Sequence, residues 1–482
     1  MSEKVDGKKE SQGLSVKKSD DFSEWYTQVV LKAELVDYGP VKGFMVIRPK
    51  GYHIWQTLQN YFNSRLSLLG VKNAYFPLLI PESFFKKEAQ HAEGFAPELA
   101  WIEQTDKTEE RVAIRPTSET IMYDSYAKWI RSYRDLPLKI NQWCNVLRWE
   151  VKQTKLFLRT REFLWQEGHC VFETEEQTDE NVLQILVEYQ KMIEEILAIH
   201  PIAGRKTKSE TFAGAKWTAS LEAFMPDGKI LQLATSHNLG QGFAKAFGLK
   251  FEGQDQKIHI PWQTSWGFST RLIGALVMVH SDDKGLILPP KIAEHKIAIV
   301  PILFEKTKKE VLEKCNALLK ELHEFDPLID VREDVSPGYK FNEFELQGIP
   351  LRLELGPKDL EKNQVVLVRR DSGEKTFVKI SELKKEIEKQ LQEMHSSLLK
   401  KSKEATEKAI IDVKNFDEFK KALEQKKYIR AFFCETPECE KEISEPTTAK
   451  SSCIPFGQKE SKEKCFKCGK PATRQTLFAK SY

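Results

Sequence analysis

The chain has 482 residues, 40% of them apolar and 30% charged, with 74 basic against 71 acidic side chains and a formal charge of +3. That length suits two to four domains, with enough apolar residues for a sizeable core. No apolar run approaches the ~20 residues of a membrane span, which excludes an integral helical membrane protein, and no membrane partner is expected. The near-balanced charge argues neither for nor against nucleic acid, because a local basic face matters more than the sum.

Residues 1–20 are polar and lysine-rich, with no apolar h-region, and read as a flexible leader rather than a secretory signal. Asp21 to Tyr38 contains Trp25, Val29, Val30 and Leu35, a short helix packed on the main body. Tyr52, Trp55, Leu58, Tyr61, Phe62, Leu66 and Leu69 recur at three and four, which predicts an amphipathic helix ended by Gly70. VKNAYFPLLIP then reads as one strand with Pro77 inside it. A proline there belongs at an edge, a bulge or an interface. A loop with Gly94 and Pro97 follows. Val112 and Ile114 lie on a strand that runs into Thr117-Ser118-Glu119, and Thr120 onward is helical.

The stretch from Cys144 to His169 is the most informative. It holds Arg148, Arg159 and Arg161, the carboxylates Glu150, Glu162 and Glu167, and the aromatic Phe163 and Trp165. Alternation predicts a hairpin: a strand through Arg148 and Glu150, a polar turn near Gln153–Lys155, and a return strand through Phe163 and Trp165. Two residues apart, Arg148 and Glu150 would face the same way. Planar guanidiniums match phosphate oxygens. An ordinary hairpin with a charged solvent face fits the same residues equally well.

Residues 175–200 predict a helix with Val182, Leu186, Tyr189, Ile193 and Ile196 on one face. ILQLATSHNLGQGFAKAFG places a strand before a polar turn. Its Gly240-Gln241-Gly242 lacks the rest of a dinucleotide fingerprint and its βαβ unit, so that function is excluded. WQTSWGFSTRLIGALVMVHSDDKGLILPP predicts a strand, a tight glycine turn, a helix from about Ser269 and a further strand at Leu286. Beyond Pro289-Pro290 strands alternate with helices, a separate small α/β unit over 291–380. A long helix is expected over 381–408, and a cysteine-bearing module over 409–482.

Arg148 and Arg271, on separate elements, suit a triphosphate held at two points with one phosphorus open to in-line attack. A carboxylate between them could hold Mg²⁺ or a nucleotide amino group. Thr117 and Glu119 end one strand, and Trp165, Glu167 and His169 end another. Together they offer carboxylates to a small ammonium group and an aromatic wall to its hydrocarbon part. Gly168 and Gly267 suggest tight packing around something small. Cys434-x4-Cys439 and Cys465-x2-Cys468 have the form of a closed structural Zn²⁺ site, with Cys453 as a possible substitute ligand. Cys144, Cys170 and Cys315 read as small buried hydrophobes. Scattered cysteines fit a reducing cytoplasm better than a disulfide framework.

The Pro77 helix–strand, Arg148-Trp149-Glu150 and Gly267-Phe268-Ser269-Thr270-Arg271 resemble the three signature motifs of class II aminoacyl-tRNA synthetases. RPTSET, REFLWQEGH and ATSHNLGQGF are similar to the prolyl-tRNA synthetase version, of the archaeal and eukaryotic type. The resemblance implies an α/β chain: an α+β catalytic domain on an antiparallel sheet over 21–290, an α/β anticodon-binding domain over 291–380 and a small zinc domain at the C-terminus. It implies an enzyme that joins L-proline to tRNA(Pro) through an adenylate made from ATP, working as a homodimer through the Pro77 region. In that resemblance Arg148 contacts the α-phosphate and Arg271 the distal phosphates. Glu150, Arg159, Thr160, Gln232 and Thr235 complete the ATP site. Thr117, Glu119, Phe163, Trp165, Glu167, His169, His237 and Ser269 form the proline pocket. Tyr482 approaches the catalytic domain, and Arg352, Lys358, Arg369 and Arg370 are candidates for tRNA contact. The span from His169 to Gly267 is too short for the inserted editing domain of some relatives. A silent tRNA-binding paralogue, or a synthetase of the same subclass for another amino acid, are the alternatives.

Overall fold

A computed structural model describes residues 13–89, 98–104, 106 and 108–482. Gly94 and Pro97 of the expected loop, and the first twelve residues, lie outside the described residues. Residues 13–20 do not float: the Lys18 ammonium donates to the carbonyls of Met278 and Ser281 at 2.9 and 2.8 Å, and its backbone N–H to Asp283.

A large mixed sheet organises the molecule. Its central strands are β1 (Leu138–Leu147), β2 (Glu162–Phe172), β3 (Trp217–Phe224), β4 (Lys229–Gly240) and β5 (Trp262–Ser269), and β6 (Gln475–Ser481) joins them from the C-terminus. β1, β2, β5, β4 and β3 pair antiparallel in that order. β6 pairs parallel with the start of β4, Lys229 opposite Lys480 and Ile230 opposite Ser481, so the C-terminal module shares the large sheet.

Three helices position the site. α1 (Glu119–Trp129) begins where the strand Val112–Ile114 has ended, and α3 (Arg271–His280) begins directly after β5. Between them in sequence, α2 (Glu175–Leu197) starts with a capping box, Thr174 and Gln177 each bonding the other's backbone. Its apolar face, Val182, Ile185, Leu186, Tyr189, Ile193 and Ile196, packs under the sheet in the main core.

Several expected elements differ. The amphipathic helix is present as Pro49–Leu68, but Tyr52 is exposed and Ile54 takes the buried position. Pro77 breaks the expected single strand into Lys72–Asn73 and Leu79–Pro81, since it has no N–H for a ladder. Leu286 lies outside any strand. Gly267 sits within β5 rather than in a turn, paired with Glu167 and Thr235.

Downstream, a five-stranded sheet forms around Ile297–Pro301 and Leu351–Leu355, with its own core. The long helix spans Leu383–Ala409. The helix Pro337–Gln347, with a proline in its first turn and Gly348 at φ +77° after its end, escaped the sequence reading. Among the described residues no helix is long and apolar enough to cross a membrane.

Candidate active site

The strand register builds the floor of the site. Directly opposed residues in an antiparallel sheet face the same side, and so do residues two apart along a strand. Trp165, Glu167 and His169 on β2 oppose Ser269, Gly267 and Ser265 on β5. Gly267 and Ser265 in turn oppose Thr235 and His237 on β4. All these side chains therefore project from one face. With Thr117 and Glu119 from the start of α1, and Phe163 from β2, they line a cavity of about 200 Å³. Gly267 leaves its centre open. A Cβ there would also meet the Gln166 carbonyl oxygen at 2.8 Å.

Glu167 is the most heavily held group of this floor. It accepts from the Ser118 backbone N–H at 3.2 Å, from the Ser118 hydroxyl, and from Gln142 Nε2 at 3.0 Å, and it pairs with His169 at 3.3 Å. Burial pushes its carboxyl up, but these partners, His169 foremost, hold it below the usual carboxylate range. Burial works against charge on His169 as well, yet the Glu167 and Glu119 carboxylates raise it above an ordinary histidine. Tyr123 OH approaches the other ring nitrogen at 3.3 Å. Glu119 accepts from the Thr117 hydroxyl. Glu119, Glu167 and His169 are all buried with a polar atom of each within 4.8 Å of the others, two carboxylates and one imidazole, and the carboxylates suit an ammonium ligand.

His237 has the opposite character. Burial, with His169 and Lys206 nearby, pulls it down to about 3, so it is a neutral wall. Thr218 Oγ1 lies 2.9 Å from its Nδ1. The Phe212 ring lies 4.7 Å from its ring and also lines the cavity. Phe212 stands alone in an irregular segment, so no period marked it in the sequence. Ser118, Gln142 and Tyr123 were missed because their contribution lies in what they hold.

A second cavity adjoins the first, and Arg148, Phe163, Ser269 and Arg271 line both. Glu150, Arg159 and Thr160 line the second only, whereas Gln232 and Thr235 line the first. The expected strand through Arg148 and Glu150 is corrected here. β1 stops at Leu147, and Arg148 through Glu150 enter a long connection to β2. The Arg148 backbone N–H still bonds the Arg161 carbonyl at 2.7 Å, which closes the base of that connection. The Arg148 guanidinium lies 5.3 and 5.6 Å from the ring centres of Phe163 and Trp165. Arg271 is held by the carbonyls of Leu158 and Gln232 at 3.2 and 3.4 Å. Burial, with Arg148 near, pulls Arg271 down to about 10, so it stays cationic at neutral pH. The carboxylate in the second lining is Glu150. One acid beside phosphates fits Mg²⁺, which keeps several waters and takes few protein ligands.

Gly168 is explained by the protein itself: a Cβ there would meet the Trp266 ring at 2.1 Å. Cys144 is not a plain buried hydrophobe. Its sulfur accepts from Trp165 Nε1 at 3.2 Å and lies 3.3 Å from Glu167. Cys170 and Cys315 are buried as expected.

Farther along the chain, the Sγ atoms of Cys434, Cys439, Cys465 and Cys468 all lie within 4.8 Å of one another. The Cys439–Cys465 and Cys434–Cys468 separations are 3.9 and 3.6 Å. A tetrahedral Zn²⁺ with bonds of about 2.3 Å spaces its sulfurs about 3.8 Å apart, so the four residues fit zinc. Gly469, at φ +72°, makes the turn that brings Cys468 round. Cys453 is buried in a different cluster, against Tyr428 and Leu477, and is no substitute ligand. Of the four tRNA candidates, Arg352, Arg369 and Arg370 are committed to Glu354 and Glu345, to Asp371, and to Asp282, respectively, while Lys358 is exposed.

Comparison with known proteins gives the same answer three times along the chain. Residues 101–280 match the class II tRNA synthetase core domain (G, H, P, S and T), residues 296–390 an anticodon binding domain, and residues 416–482 the prolyl-tRNA synthetase C-terminal domain. The chain is 48% identical over 466 residues to a proline–tRNA ligase of Alkaliphilus oremlandii, covering 96% of both. It is 48% identical over 470 residues to that of Natranaerobius thermophilus (96% and 97% covered), and 47% over 471 residues to proline–tRNA ligase 2 of Clostridioides difficile (97% of both). The chain belongs to the prolyl-tRNA synthetase family. As in the motifs of that family read above, the RPTSET and REFLWQEGH segments carry Thr117, Glu119, Phe163, Trp165, Glu167 and His169 of the first cavity's lining.

Proposed function

We propose that this chain activates L-proline with ATP and then transfers it to the 3′ end of tRNA(Pro). The observation that carries the reading is the shared mouth of the two cavities. One is an acidic and aromatic floor suited to a small ammonium; the other is lined by three guanidiniums. Proline sits in the first, its ammonium between Glu119 and Glu167 and its ring against Trp165, Phe163 and His237. Neutral His237 adds no second positive charge there. ATP lies in the second, with Arg271 on its distal phosphates and Glu150, Arg159 and Thr160 along it, while Gln232 and Thr235 border it from the first.

A proline carboxylate oxygen attacks the α-phosphorus at that mouth, and the bond to pyrophosphate breaks. Arg148 balances the charge that develops there. The terminal adenosine hydroxyl of the tRNA then attacks the prolyl carbonyl carbon, and AMP leaves. No side chain forms a covalent intermediate; positioning and electrostatics carry the reaction. Mg²⁺ beside Glu150 would neutralise phosphate charge. Zn²⁺ on the four cysteines would be structural, since four protein thiolates leave no open position.

Exposed Phe304, beside a cavity in the 296–390 unit, supports anticodon contact there by stacking. The exposed Leu68, Tyr75 and Leu79, flanking Pro77, support a homodimer. The eight free cysteines support a cytoplasmic setting. ATP–pyrophosphate exchange with proline, threonine, serine, alanine and cysteine tests the reading. Proline is expected to give the fastest exchange, since a small apolar difference discriminates by only about 1–3 kcal/mol. No exchange with any would refute the enzyme, and a preference for threonine or serine would refute the specificity. Sedimentation of the purified chain tests the dimer.

A further inference from the structure

The C-terminal module contributes to the second cavity. Lys450, Ser481 and Tyr482 line it together with Arg148, Arg159 and Arg271. Lys450 begins a short strand that pairs antiparallel with β6, where it stands opposite Ala479. Adjacent residues on a strand point to opposite faces. Ser451 turns inward and donates to the buried Glu440, so Lys450 turns outward, with 51% of its side chain exposed. Its ammonium meets Glu210 at 3.2 Å. An exposed pair of this kind holds weakly, so the lysine is available to a more highly charged anion.

We propose that Lys450 is a further phosphate-binding residue of the activation site, supplied by the C-terminal module and resting on Glu210 when no nucleotide is bound. The proposal rests on the reading that the second cavity takes ATP. The α-phosphate must lie at the mouth, where the proline carboxylate can reach it. Lys450 lines only the second cavity, so it meets the β- and γ-phosphates. An ammonium on a flexible stem suits that task, acting as a point charge beside the directional guanidiniums. Glu210 lies two residues before Phe212 in sequence, so the resting pair also tethers the segment that walls the first cavity.

Titration calorimetry of the full chain with ATP, AMP and adenosine tests this, using wild type, Lys450→Met, Lys450→Arg and Glu210→Gln. Lys450→Met is expected to weaken ATP roughly tenfold, the loss of one charge-assisted hydrogen bond. AMP and adenosine should bind as in wild type, and the KM for proline should be unchanged. Lys450→Arg should recover most of the ATP affinity, and Glu210→Gln should tighten ATP by freeing the lysine. ATP affinity unchanged in Lys450→Met, or an equal loss for ATP and AMP, would overturn the proposal and leave the ATP reading intact. Failure of the wild type to bind ATP would overturn both.

Discussion

Arg370 and Asp282 are joined by two parallel hydrogen bonds of 2.6 and 2.9 Å, and this pair ties the five-stranded unit to the end of the helix that carries Arg271. Arg370 is 3% exposed, and its Nε donates to the Glu345 carbonyl at 2.7 Å. The Asp282 carboxylate also accepts from the Lys284 backbone N–H, and the Asp282 and Gly285 backbones bond each other across a tight turn. Arg370→Met should cost about 1 kcal/mol of stability, because it removes three hydrogen bonds while water can still reach the Asp282 carboxylate. Urea unfolding measures that cost. Pyrophosphate exchange should survive, while transfer to tRNA falls. Equal loss of both would place the damage within the catalytic domain instead.

Arg148→Ala should abolish adenylate formation, with exchange down by about a hundredfold or more, and leave the circular dichroism unchanged. Among the described residues its side chain makes one long hydrogen bond, 3.5 Å to the Pro116 carbonyl, beside the Phe163 and Trp165 rings, so no strand or helix is built on it. Arg148→Lys should recover little, since an ammonium lacks the planar fork. Exchange at the wild-type rate in Arg148→Ala would refute its role.

The Glu167–His169 pair sets a pH window. His169 is raised from 6.5, so its contribution to stability is full below about 6.5 and is lost as pH rises through its higher folded value. Glu167 is lowered from 4.5, so its contribution is full above about 4.5 and is lost as pH falls through its lower folded value. Melting temperature against pH should therefore decline at both edges. Glu167→Gln should flatten both edges, because it removes the acid and the partner that raises the histidine. An unchanged profile would show that the pair does not titrate with folding.

Gly168→Ala tests whether the tight spot belongs to the ligand or the core. The added methyl would meet the buried Trp266 ring, and overpacking of this kind costs about 1–3 kcal/mol. Stability should fall in thermal unfolding with or without proline. A loss confined to proline affinity would return Gly168 to the pocket.

Zinc removal should be felt in the catalytic sheet. One Zn²⁺ per chain is expected by atomic emission, and Cys465→Ser should lower it. Hydrogen exchange should then rise along β6 and at Lys229–Ile230, which β6 pairs. A full zinc complement in the variant would remove Cys465 from the ligand set.

What the sequence made legible was whatever has a period or a fixed spacing. Val182, Leu186 and Tyr189 marked α2 at helical spacing, and the two cysteine pairs marked the metal cluster. The alternation of Trp165, Glu167 and His169 marked β2. Arg148 and Glu150 continued that alternation past the point where pairing stops, so they were placed on a strand that had already ended. Pro77 was noticed, yet its missing N–H divides the segment more completely than an edge position would. Arg369 and Arg370 advertised positive charge, but their acids, Asp371 and Asp282, are brought to them by turn and tertiary structure. Phe212 and Gln142 have no local signature, and Ser118 sits in RPTSET without showing what it holds, because their roles exist only once distant strands lie side by side.

The pairing of β4 with β6 also has a temporal meaning. Its partners stand about 250 residues apart, and contacts of such separation form slowly even where they cost little stability. The main core can close around α2 before the last strand arrives. During refolding, burial of Trp266 should therefore precede the appearance of nucleotide affinity, and the interval between them would time the arrival of the chain's far end.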